Sequence, residues 1–323
     1  MDQLVAQKIH QRLSQSPSIL LISHQNPDGD ALGSLLSLLI YWRRQGKQVG
    51  VFLASPAPSY FDFLPESEAL SNQADIFSQR WATAVFVDSG DFGHAAVEPA
   101  WLSNSFLINI DHHHTNKFFA HLNLVDFQAG STCELIYQLF SRNQWMIDRA
   151  VATCLLSGIW SDTGGFSNSA TNTLSIGIAA DLIRHGARID RINNQITRRR
   201  SLAGLRLWGL ILARLELNQS ANLAYTYVRA AEFDRFQVRE EEADGIVNFL
   251  NLITDVSAAA FLRLESNQTK VSLRTHKADV DVSRLAAAFG GGGHQKAAGF
   301  TIAQVISSDH EIKELVEKLS RLL

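Results

Sequence analysis

Three short apolar runs, "SILLI" (Ser18–Ile22), "TAVFVD" (Thr83–Asp88) and "SFLINID" (Ser105–Asp111), pass directly into clusters of aspartate and histidine. A fourth run, "KQVGVFL" (Lys47–Leu53), lies between the first two. Apolar runs of this length, bounded by turn-forming residues, read as buried strands. The stretches "ALGSLLSLLIYWRRQG", "STCELIYQLFSRN" and "DRAVATCLLSGIWSD" carry their apolar residues at helical spacing. Strands alternating with helices predict an α/β fold with a doubly wound, mostly parallel sheet, whose ligands lie beyond the carboxyl ends of its strands. The polar residues that follow the strands are therefore the ones to examine for chemistry.

A chain of 323 residues is long enough for two cored domains. The reading divides it into a first α/β domain over residues 1–188, a helical connector over 189–214 and a smaller α/β domain over 215–323. In the last of these, "LAYTYVRA", "SAAAFLRLE" and "TKVSLRTH" are strand-like, whereas "EEEADGIVNFLNLI", "DVSRLAAAF" and "IKELVEKLSRLL" are helix-like. Cys133 and Cys154 sit in apolar helical stretches and read as reduced core residues. The start of the chain, "MDQLVAQKIHQRL", reads as an amphipathic helix rather than a signal peptide, and no apolar run approaches the length of a membrane span. A cytoplasmic protein is expected. A net charge of −3 argues against a broad polyanion-binding face, so short nucleotides suit the chain better than duplex nucleic acid.

Four places end a strand or helix with groups able to bind metal: His24, Asp28 and Asp30; Asp88; Asp111, His112 and His113; and Asp162 in "SDTGGF". Each alone has an ordinary explanation, and Asp30 ahead of "ALGSLLSLL" reads as a helix N-cap. Together, acids converging on one sheet edge repel unless cations neutralise them. The mixture of imidazole and carboxylate suits Mn2+, with Mg2+ as the alternative, and the ligand count implies two ions. A carboxylate shared by ions about 3.5–4 Å apart would let both activate one water for attack on phosphorus.

With these residues in place, the sequence resembles the DHH phosphoesterase family, in particular its oligoribonucleases that also act as 3′-phosphoadenosine 5′-phosphate phosphatases. "SHQNPDGDALGS", "VDSGD", "DHHHTN" and "SDTGGF" resemble its ordered motifs, and "FGGGGHQKAAGF" resembles the signature of the DHH-associated C-terminal domain. The resemblance implies one Mn2+ on His24, Asp28 and Asp88 and another on Asp30, Asp88, His112 and Asp162. It further implies that Asp111 orients a histidine, that His113 faces the scissile phosphate, and that His114 lies outside the motif. The glycine run, with Gly291, Gly292 and Gly293, would form an anion-binding concavity beside His294. Arg274 would supply a second phosphate contact.

Two departures from the resemblance stand out. Relatives commonly follow "SDTGGF" with a basic residue and an Asn-Thr pair, whereas this chain reads Ser167, Asn168, Ser169, Ala170 and Thr171. Relatives also often place an arginine where this chain has His94. The run Arg198–Arg200 reads as a solvated helix face. The expected partner is a short RNA or DNA oligonucleotide or a nucleotide held between the two domains, and a homodimer stays open. The competing readings are a cyclic- or linear-dinucleotide phosphodiesterase, a RecJ-like exonuclease, a pyrophosphatase, and a nucleotide sensor with a vestigial metal site.

Overall fold

Alternation along β1 (Ser18–Ile22) shows how the first half is built. Ile19 and Leu21 enter one apolar cluster and Leu20 and Ile22 another, so the strand is buried on both faces, as the interior of a parallel sheet requires. β1 is flanked by β2 (Gln48–Phe52) and β3 (Thr83–Val87), followed by β4 (Phe106–Asp111) and β5 (Leu122–Val125). All pairings are parallel, in the order β2-β1-β3-β4-β5. The order reverses between β1 and β3, and this switch point opens a crevice at the strands' carboxyl ends. β5 lies in a half-polar segment that did not read as a strand.

The computed structural model describes residues 3–196 and 201–323, and the chain divides after Arg199 into two compact units. In the first unit, α1 (Gln3–Gln15), α2 (Gly29–Arg44), α3 (Thr132–Arg142) and α4 (Arg149–Asp162) contribute to the larger apolar cluster. The opposite face is covered by short 3-10 turns and loop residues such as Phe77, Phe92 and Leu102. The connections from β3 to β4 and from β4 to β5 pack on that face, whereas the one from β2 to β3 serves both, with Phe61 and Leu64 in the larger cluster and Phe77 against the smaller. α5 (Thr173–Arg184) and α6 (Ile189–Ile196) complete the unit, both packed on α4.

The second unit begins with α7 (Leu202–Ala213), which packs on β7 (Leu223–Arg229) and α8 (Ala230–Phe236). Its mixed sheet has the order β10-β11-β9-β8-β7-β6, built from β6 (Glu216–Asn218), β7, β8 (Ala258–Leu264), β9 (Thr269–Arg274), β10 (Gly292–His294) and β11 (Ala297–Ile302). Only the β7–β8 pair is parallel. α9 (Ile246–Leu250), α10 (Val282–Ala288) and α11 (Asp309–Ser320) flank it. The stretch "EEEADGIVNFLNLI" is not one helix, because Gly245 at φ +83° separates a 3-10 turn from α9. Arg198–Arg200 lies outside the described residues. None of the described helices is long and apolar enough to cross a membrane. Cys133 and Cys154 are free and buried.

Candidate metal centre

The loop after β1 is shaped by its own polar groups. Ser23 donates to the Val87 carbonyl (3.0 Å), and His24 Nδ1 donates to the Gln25 carbonyl (2.8 Å), which turns Nε2 toward Asp88 Oδ2 at 3.3 Å. Asp28, not Asp30, is the N-cap of α2: its Oδ1 accepts from the backbone of Asp30 (2.9 Å) and Ala31 (3.1 Å). The capping expected of Asp30 is therefore corrected by two residues. Asp30 already lies in the first turn, where its carboxylate is directed sideways to the start of α3. There its oxygens accept from the backbone of Thr132 (2.6 Å) and Cys133 (2.8 Å).

Asp88 sits just past β3 in the left-handed region (φ +55°), an uncommon conformation for a residue other than glycine, and is 2% exposed. Its two oxygens point in different directions. Oδ2 faces His24, while Oδ1 accepts from the Thr132 hydroxyl (3.0 Å) and lies 3.7 Å from His112 Nε2. His112 is aimed by its other nitrogen, which donates to the Ala129 carbonyl (3.1 Å). Around His112 Nε2 gather Asp162 Oδ2 at 3.2 Å and Asp30 Oδ2 at 3.9 Å. Potential ligand atoms of His24, Asp28 and Asp88 thus lie within 4.8 Å of one another, as do those of Asp30, His112 and Asp162.

Asp162 is delivered by α4, which must approach α2 closely. A Cβ on Gly158 would lie 2.2 Å from Cys133 Sγ and 2.9 Å from Asp30 Oδ1, so no larger residue fits there. Asp111, at the end of β4, accepts from His113 Nδ1 (2.7 Å) and the backbone of His112 (2.9 Å) through Oδ1, and from Asn116 (2.6 Å) through Oδ2. Asn116 also donates to Asn109 (2.7 Å), which bonds the Phe86 and Ser89 carbonyls. Asp111 thus orients His113 through Nδ1, which also lies 3.5 Å from Asp88 Oδ1.

The electrostatics follow from burial. Burial and then the charges of Asp88 and Asp162 push Asp30 well above the usual carboxylate range. Burial opposes charge on Asp88 as well, but the hydrogen bond from His24 and the charges of His113, His24 and His112 hold it low. Burial disfavours the charged forms of His24 and His112; their aspartate partners prevail, raising His24 to about 10 and His112 well above its usual value. So many acids share the site only with positive charge among them, whether imidazolium or bound cation.

The residues missed in the sequence are those that support this cluster: Thr132, the Cys133 N–H, Asn109, Asn116 and the Ala129 carbonyl. Ser131 is the N-cap of α3, accepting from Glu134 (3.2 Å), so "ST" ahead of an apolar helix was the available signal for the helix start that grips Asp30. His94 joins this group from the loop after β3. Its ring stacks on that of His24, with centroids 4.9 Å apart and planes 7° apart, and its carbonyl accepts from Gln25 N–H (2.9 Å).

In the second unit, the glycine run has two separate parts. Gly290 (φ +77°) and Gly291 donate to the Ala287 (3.0 Å) and Ala286 (2.9 Å) carbonyls and so close α10. The Gly291 N–H is thereby committed within the fold, away from the anion cradle expected of it. Gly292, Gly293 and His294 form β10, at the edge of the sheet. Register places His294 opposite Ala297 and Ala297 opposite Arg274, so His294 and Arg274 share one level and face of the sheet. The Arg274 guanidinium donates to Asn248 Oδ1 (2.8 Å) and the Leu273 carbonyl (2.9 Å).

Known proteins match this arrangement. Residues 18–159 match the DHH family N-terminal domain, and residues 220–323 match the DHHA1 domain. The bifunctional oligoribonuclease and PAP phosphatase NrnA of Thermus thermophilus is 30% identical over 88% of this chain and 84% of its own length. The crystal structure of an exopolyphosphatase-related protein from Bacteroides fragilis superposes with a TM-score of 0.89 at 26% identity, covering 99% of this chain and 96% of that one. RecJ of Thermus thermophilus, solved in complex with Mn2+, shares the fold with a TM-score of 0.55 at 14% identity, over 98% of this chain and 54% of RecJ.

Proposed function

The chain belongs to the DHH family and is a hydrolase of phosphoester bonds, and from that premise we propose that it is an Mn2+-dependent phosphoesterase of short oligonucleotides and 3′-phosphoadenosine 5′-phosphate. The observation that carries the proposal is the placement of Asp88, whose Oδ2 faces the His24 group while its Oδ1 faces the His112 group. His24, Asp28 and Asp88 would hold one ion, and Asp30, Asp88, His112 and Asp162 the other. The donor set fits: converging carboxylates that repel one another, Asp30 and Asp88 among them buried, with imidazoles aimed by backbone carbonyls, suit Mn2+, and Mg2+ is the poorer match. The chemistry that a bound pair supplies is polarisation of water and neutralisation of charge at phosphorus.

The chain's own residues do the rest. Asp111 orients the His113 ring through Nδ1, and His113 would face the phosphate, stabilising charge or protonating the leaving oxygen. Asn116 and Asn109 hold Asp111 in turn, so the ring has one orientation. In the second unit, Arg274 and His294 take the nucleotide, with the exposed edge of β10 at Gly292 and Gly293 allowing close approach. The curated relative's name, an oligoribonuclease and PAP phosphatase, supports this substrate class.

A substrate panel with Mn2+ tests the reading. It should contain 3′-phosphoadenosine 5′-phosphate, a linear dinucleotide, cyclic di-AMP, pyrophosphate and a longer single strand. The first two should exceed the rest in kcat/KM by at least about tenfold. Preference for pyrophosphate or cyclic di-AMP, or tight nucleotide binding with no turnover, would overturn it.

A further inference from the structure

Beside the metal centre three aromatic rings stand in the open. Phe118 is 54% exposed and Phe127 39% exposed, and His114 is exposed as well. They form one group: His114 stacks on Phe127 with centroids 4.9 Å apart and planes 25° apart, and Phe118 meets Phe127 edge-on at 6.2 Å. Apolar rings are ordinarily buried, and a contiguous exposed set signals binding.

The fold fixes these rings to the catalytic residues. Phe118 adopts φ +51°, a left-handed conformation that bulky side chains seldom take. Its N–H donates to Asn116 Oδ1 (2.7 Å), while the same Asn116 donates through Nδ2 to Asp111. Phe127 lies two residues from Ala129, whose carbonyl aims His112, a span of at most about 7 Å of chain. His114 directly follows His113. Both loops that position the histidines therefore also present the rings.

We propose that His114, Phe118 and Phe127 form a stacking platform for a nucleobase of the bound substrate. The inference rests on the functional reading above and adds to it the means by which the first unit accepts a nucleoside. Every base has a π-face, so such a platform favours nucleotides without selecting sequence. That suits an enzyme of short oligonucleotides whose products differ only in their bases.

The experiment compares the parent with Phe127→Ala and the Phe118→Ala/Phe127→Ala double variant, on a linear dinucleotide and on the same compound lacking one base. Both rings are exposed, so the variants should keep the parent's Tm. KM for the full dinucleotide should rise on the order of tenfold with kcat unchanged, while KM for the abasic compound stays put. Phe127→Tyr should behave as the parent. An unchanged KM in the double variant would overturn the platform, as would a shift from a dimer to a monomer with KM unchanged, which would make the rings a contact between copies. Failure of the parent to cleave any dinucleotide would sink the functional reading separately. Quenching of a 2-aminopurine dinucleotide on binding then still decides the platform: quenching lost in the double variant supports it, and its absence in the parent overturns it.

Discussion

On the proposed reading, the two units would meet a charged phosphate substrate by opposite means. In the first, the candidate chemistry lies in side chains: acids and imidazoles, most of them buried but Asp28 exposed and Asp162 half-buried, crowd the ends of β1, β3 and β4 and the last turn of α4. In the second, two side chains, Arg274 and His294, stand beside a stretch whose contribution is backbone, where Gly290 and Gly291 close α10 and the next residues form a bare edge strand. A side-chain site tolerates no change of chemical type. A backbone site tolerates none of size where the chain passes closely, and tolerates Cβ atoms elsewhere.

The strongest way to break that contrast is Asp88→Asn. The substitution keeps the size of the side chain but removes the charge that both groups share. Loss of several kcal/mol of transition-state stabilisation corresponds to a fall in kcat/KM on the order of a thousandfold. Circular dichroism should show the fold intact. Near-parent turnover would show that Asp88 does not join the two groups.

That prediction was available from the sequence, because the residue types that carry it stand at the ends of apolar runs. His24, Asp28, Asp30, Asp88, His112 and Asp162 were all named there, and the structure brings them together. What was not legible depended on distance in the chain or on backbone. Asp30 is gripped by the start of α3 about a hundred residues on, which no local pattern shows. The division of labour between Asp28 as cap and Asp30 as inward carboxylate turns on where α2 begins, and helix ends are the least certain feature of any sequence pattern. β10 was missed because glycine carries no strand preference, and a run of glycines looks the same in a loop, a cap or an edge.

Next in size is Asn116→Ala. It frees Asp111 Oδ2 and with it the orientation of His113, while touching no proposed metal ligand. Losses of about ten- to a hundredfold are usual for such outer partners. They should fall on kcat with Mn2+ affinity, read by calorimetry, unchanged. A loss of Mn2+ affinity instead would place Asp111 among the ligands.

The contrast sharpens in the second unit with a pair of variants. In Gly291→Ala the new methyl would lie 2.2 Å from the Gly299 carbonyl oxygen and 2.4 Å from Phe300 Cβ, both fixed by the sheet. Overpacking of this kind costs about 1–3 kcal/mol and should lower Tm by several degrees. In Gly292→Ala the methyl meets nothing within 4 Å, so Tm should hold and only KM should rise, by a few-fold. Equal Tm values for the two would show that close packing is not what the run provides.

The smallest effect is expected at His94. Its ring covers that of His24 at 4.9 Å, and its carbonyl anchors Gln25, whose own carbonyl accepts from His24 Nδ1. Its backbone N–H is held in turn by Asp91 Oδ1 (2.6 Å). The loop after β3 thus grips the loop after β1 by both ring and backbone, and only the ring can be removed by substitution. If stacking is its role, His94→Ala lowers Mn2+ affinity a few-fold by loosening His24, and His94→Phe restores it, since a flat apolar ring keeps the stack. If the imidazole instead touches the substrate's phosphate, Phe and Ala raise KM alike and leave Mn2+ affinity as it was. Calorimetry with Mn2+ alone, beside KM for the dinucleotide, separates the two, and only the first outcome keeps His94 as part of the side-chain site.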